Sequence, residues 1–147
     1  MGFKGYLALA AVAFLAATTG SDLVARTSIA GEPVDFALRE HLHWAGVQFV
    51  GTLLLLAPFL AVAVVCALVE KDARSRSVIA IFTVAMFALL YFYFQGHQAA
   101  QHALLEEKWT AATLSIGLLP FFVGGPVLLA VIGAGAAATK LDPRARY

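Results

Sequence analysis

The sequence predicts an all-α membrane protein: a bundle of four transmembrane helices, N-in and C-in, with a short extracytoplasmic amphipathic helix before the second span. Three observations predict it. Of 147 residues, 61% are hydrophobic and only 13% charged, far from the balance of a soluble domain. The apolar residues gather in four runs without charge, and about 20 residues at roughly 1.5 Å rise cross a hydrocarbon core of about 30 Å. The cations are also unevenly distributed. With the N-terminus inside, the inner segments hold seven Lys and Arg (Lys4, Lys71, Arg74, Arg76, Lys140, Arg144 and Arg146), against Arg26, Arg39 and Lys108 outside, a positive-inside bias. A chain of this length makes one integral domain, 1–147, and the expected location is a bacterial-type inner (plasma) membrane. A net charge of +1 gives no field that would gather nucleic acid.

The first span, about 5–21, is Ala-rich. Ala10, Ala13 and Ala17 let it approach a neighbour closely, the usual device where lipid supplies no hydrophobic drive for association. One Lys, an apolar run and small residues at Ala16, Ala17 and Thr18 also describe a signal peptide, which is the alternative to a retained helix. An outer segment, about 22–44, follows. Within it Pro33 suits a first helical position and Asp35 the positive end of a helix dipole. Val34, Leu38 and Leu42 then recur every four residues beside the polar stripe Asp35, Arg39 and His43, so a surface helix is expected at about Val34–His43.

The second span, about 45–69, belongs to a stretch with no charge between Glu40 and Glu70; Pro58 lies in its middle, where a kink is expected. An inner loop, about 70–76, leads to the third span, about 77–95. That span closes on Tyr91-Phe92-Tyr93-Phe94, residues at home where lipid meets water. The second outer segment, about 96–109, carries His97, His102, Glu106 and Glu107. The fourth span, about 110–139, is interrupted at Pro120 and at Gly124-Gly125-Pro126 and ends on a small-residue ridge of Ala130, Ala134 and Ala138. The inner tail is 140–147.

Chemistry has few places to reside. Cys66 is the only cysteine, so neither an intrachain disulfide nor a cysteine-based metal site can form. There is no phosphate-binding glycine loop and no nucleophile-plus-base motif. All four histidines fall on the outer side. Glu40 and His43, three apart, share one side of a helix; His102 and Glu106, four apart, share another if the third helix continues past Gly96. Carboxylates and imidazoles on facing helices are how bundles hold a divalent or di-metal centre. Glu40, His43, His102 and Glu106 are therefore the candidate metal ligands, with His41 and His97 as spares. A b-type haem on His43 and His97 is a second candidate cofactor. Antiparallel neighbours place the start of the second span and the end of the third at one membrane level, with Trp44 and Trp109 bracketing that mouth.

The leading functional expectation is an accessory or structural subunit, not an enzyme, that packs in the bilayer with partner transmembrane helices or with itself. It rests on the lack of charge inside the spans, the small-residue ridges and the short inner loops. The alternatives are a membrane metalloprotein or redox subunit using the outer His/Glu cluster, and a small oligomeric transporter using the broken fourth span.

Overall fold

A computed structural model describes residues 1–141; the part of the expected basic tail from 142 onward lies outside the described residues. The described chain is almost entirely helical, and no strand occurs among its residues. Four helices are long and apolar enough to cross a membrane: α1, Phe3–Ile29; α3, Phe49–Val69; α4, Ser75–Leu105; and α5, Trp109–Leu141. Between the first two lies the amphipathic helix α2, Val34–Val47.

Helix α1 continues beyond the apolar run. Residues 22–29, expected in a polar connection, are helical, because Asp22 and Arg26 stand four apart and pair along the helix, Nε to Oδ2 at 3.0 Å. A π-helical turn at Ala16–Gly20 separates the apolar half from the charged half. The extra residue in such a turn displaces backbone carbonyls, and two hydroxyls compensate: Thr18 donates to the Phe14 carbonyl at 2.8 Å and Ser21 to that of Ala16 at 3.5 Å. Gly31, at φ +70°, then ends the helix, and the Glu32 amide turns back to the Arg26 carbonyl at 3.2 Å. A glycine in the left-handed region just past the last turn is a common way for a helix to stop.

The surface helix extends a turn past the expected His43, to Val47. Gln48, at φ −100° and ψ 44°, separates it from α3. The Thr52 hydroxyl spans the break, donating to the Ala45 and Gln48 carbonyls at 3.1 and 3.2 Å.

Helix α4 lies at the centre of the bundle, touching both halves of α1, α3 and both halves of α5. It passes through Gly96 without a break. Gly96 is a packing site: a Cβ there would meet Leu119 Cδ1 at 2.8 Å and the Ser115 carbonyl at 3.1 Å. In α5 the α-helical pattern stops after Gly117 and a π-helical turn occupies Pro120–Gly124 before the helix resumes at Gly125, the interruption its Pro and Gly residues predict.

Aromatic rings fill the middle of the bundle. Tyr6 meets Phe82 edge-on at 5.0 Å, Phe14 meets Phe59 at 5.7 Å, and Phe59 meets Tyr93 at 5.1 Å, the geometry that ring quadrupoles favour. Ala10, Ala13 and Ala17 are all buried, as their spacing predicts. At the end of the bundle that holds the α3–α4 turn, the Met1 ammonium pairs with the buried Glu70 carboxylate. Burial alone would raise the Glu70 pKa; hydrogen bonds from the ammonium and from Ser75, with the ammonium's charge, outweigh it and hold the carboxyl below its ordinary range.

Candidate functional site

At the opposite end of the bundle, the π-turn of α1, the inner face of α2 and the last third of α4 bring together a polar cluster centred on Asp22. Its Oδ2 accepts from Arg26 Nε at 3.0 Å and faces His41 Nδ1 at 2.9 Å. Arg26 also reaches Glu32 at 3.3 Å. The other carboxylate oxygen, Oδ1, lies 3.7 Å from His97 Nδ1, close enough for an ionic attraction and too long for a hydrogen bond.

The carboxylate attracts the Nδ1 proton of His41, which leaves Nε2 free to accept the Thr19 hydroxyl proton at 3.0 Å. Hydroxyl, imidazole and carboxylate thus follow one another in the order of an activated nucleophile. They also fasten α2 to α1, since Thr19 and Asp22 belong to one helix and His41 to the other.

Beside this cluster lies a cavity of about 490 Å³, within the range of small-ligand sites. Thr19, Asp22, His41 and His97 line it, together with the apolar Phe14, Leu55, Ile116 and Pro120. His97 is the unusual member. It is only 6% exposed, and neither ring nitrogen has a hydrogen-bond partner, although buried polar groups nearly always have one.

The four candidate ligands from the sequence lie on α2, at the end of α4 and just beyond it. Glu40 accepts the Trp44 indole N–H at 3.2 Å, and the exposed His43 lies edge-on to Trp44 at 5.8 Å. His102 is exposed near the end of α4. The exposed Glu106 pairs with Lys108 at 2.7 Å, and that hydrogen bond and charge hold its carboxyl below the usual range. Among the described residues no group of three or more His, Cys, Asp or Glu is arranged to hold a metal ion. His43 is exposed whereas its expected haem partner His97 is buried. Asp22 brings together instead the two spares, His41 and His97. A polar connection at Asp22 conceals its place in a helix; the i,i+4 pair Asp22/Arg26, beginning three residues after Thr19, is the signal that could find it.

Comparison of the chain with protein-family models, curated proteins and solved structures gives no match.

Proposed function

We propose that this chain is a small accessory or structural membrane subunit that acts by helix–helix contact, docking through α5 onto a partner transmembrane helix or a second copy of itself. One observation carries the reading. Helix α5 is the least buried of the four long helices, and its uncovered face presents Ala130, Gly133, Ala134 and Ala137, all exposed, at i, i+3, i+4 and i+7. Ala138, expected on the same ridge, is turned inward with Val131 and Gly135. Lipid gains nothing from small side chains, whereas an approaching helix does, because they let two backbones pack closely.

The same proposal includes the N-in/C-in orientation and a plasma-membrane location, supported by the seven-to-three distribution of Lys and Arg. Helix α2 and the Asp22 cluster then lie on the extracytoplasmic side. Förster transfer between labelled copies in liposomes, with co-purification from the native membrane, tests the docking. Gly133→Leu should abolish assembly, whereas Phe122→Leu, at an exposed large side chain elsewhere on α5, should leave it intact. An assembly size that Gly133→Leu does not change would refute the reading.

A further inference from the structure

We propose that the cavity beside Asp22 is a binding site for a neutral amphiphile with a hydroxyl head, seated with its O–H on His97 Nε2 and its chain against the apolar wall. The inference is independent of helix docking through α5.

It starts from the unpartnered imidazole. His97 is more than nine-tenths buried, lines the cavity, and leaves both nitrogens without a hydrogen bond. A buried polar group left in that state costs free energy that some partner normally recovers. The Asp22 carboxylate, 3.7 Å from Nδ1, decides what kind of partner. Its negative charge favours the tautomer with the proton on Nδ1, and a neutral imidazole so arranged keeps its lone pair on Nε2. The missing partner is then a hydrogen-bond donor. An ether or a ketone has none to offer; an alcohol or a phenol does. Two neighbouring groups are already committed: His41 Nε2 to Thr19, and Asp22 Oδ2 to His41 and Arg26.

The shape of the site decides the rest of the ligand. Phe14, Leu55, Ile116 and Pro120 also line the cavity, an apolar surface that a sugar or free ion would leave unmatched and a hydrocarbon chain would cover. About 490 Å³ is room for a headgroup and part of a chain. A charged head is disfavoured, because Arg26 is engaged by Asp22 and Glu32 and displacing it would strand two carboxylates.

Two sources share this chemistry, aliphatic alcohols and phenolic quinols, and one titration distinguishes them. Trp44 lines the cavity and is one of two tryptophans, so Trp109→Phe leaves it as the reporter. The full chain in lipid nanodiscs is titrated with dodecanol, dodecyl methyl ether, 2-dodecanone and decylhydroquinone, each as a mole fraction of the lipid. Dodecanol or decylhydroquinone should saturate the Trp44 signal at roughly one-tenth the mole fraction needed by the ether or ketone, the ratio expected for one hydrogen bond. The tighter of the two donors identifies the source. His97→Leu should erase the difference between donors and non-donors. The proposal is overturned if the ether or ketone matches the donors on the wild-type His97 chain, a comparison that needs no His97 variant to fold. It is overturned equally if no probe saturates, which would leave water alone in the cavity.

Discussion

Substituting Gly124 by Ala tests the closest approach in the bundle. A Cβ on Gly124 would lie 2.4 Å from Pro58 Cγ and 2.7 Å from Pro58 Cβ. Carbon atoms prefer roughly 3.5–4.0 Å, so the overlap exceeds about 1 Å, and both obstructing atoms belong to a rigid pyrrolidine ring within α3. Neither can swing aside; α3 and α5 must separate or the π-turn must shift. Overpacking of this kind costs about 1–3 kcal/mol. Removing a glycine from a helix returns about 0.5–1 kcal/mol, so a net loss of up to about 2.5 kcal/mol is expected.

Two sister substitutions calibrate the value. Gly133→Ala places its Cβ in open space and should be neutral or stabilising by up to about 1 kcal/mol. Gly135→Ala meets Val69 Cγ2 at 2.8 Å; that methyl can rotate away, so the loss should be intermediate. Reversible unfolding in mixed micelles ranks the three. If Gly124→Ala proves as stable as Gly133→Ala, α3 and α5 do not meet at Pro58, and the packing of the fourth span is wrong.

Tyr93→Phe should cost about 0.5–1.5 kcal/mol in the same assay, because the Tyr93 hydroxyl donates to the Leu55 carbonyl at 3.0 Å, one turn before Pro58 interrupts the α3 ladder; an unchanged midpoint would show that bond to be unimportant. In the Asp22 cluster, a cycle of Asp22→Asn, Arg26→Gln and the double variant should give a coupling of about 0.5–3 kcal/mol, since the two side chains are 16% and 19% exposed; strict additivity would refute the pairing. For Glu70 the folded pKa is lowered, so its stabilising contribution is complete above the unfolded carboxyl value of about 4.3 and is lost as pH falls through the lowered folded value. Glu70→Gln should therefore flatten the acid limb of a stability-against-pH curve, and an unaltered limb would assign that limb to other carboxylates.

What was legible in the sequence and what was not divide along one physical line. The four long helices could be read because hydropathy is a local property: Leu53 to Leu56 need no neighbour to declare themselves apolar. So could the break at Pro120, since a missing N–H acts within its own turn. Gly96 could not be judged locally. A glycine weakens an isolated helix, yet here it admits Leu119 and Ser115 from α5, and packing outweighs propensity. The polar site was hidden for the same reason. Its members come from positions 19, 22, 26, 41 and 97, on three helices, and only Thr19, Asp22 and Arg26 have spacings that can be read along one of them.

The pairing of Glu40 and His43 with His102 and Glu106 rests on spacings that can be read locally and leaves out Asp22, because in the sequence charge reads as the end of the first helix. Charge marks only the end of the apolar run. A helix can carry Asp22 and Arg26 onward when they neutralise each other along its surface, and the π-turn before them gives the cluster its position. An extra residue in a helical turn rotates everything after it by roughly 100°, one residue's share of a helical turn. Asp22 is set toward α2 and α4 by that rotation, and deleting one residue from Ala16–Gly20 should preserve it: the shorter count removes about 100°, and closure of the π-turn to an α-turn restores it. Deleting Ala16, which is exposed, tests this with little loss of packing. The expected result is a chain that still folds, keeps Asp22 beside His41 and His97, and still binds a hydroxyl-headed probe. If the deletion variant loses the Asp22–His41 contact, the turn has not closed, and the π-turn does more than absorb one residue.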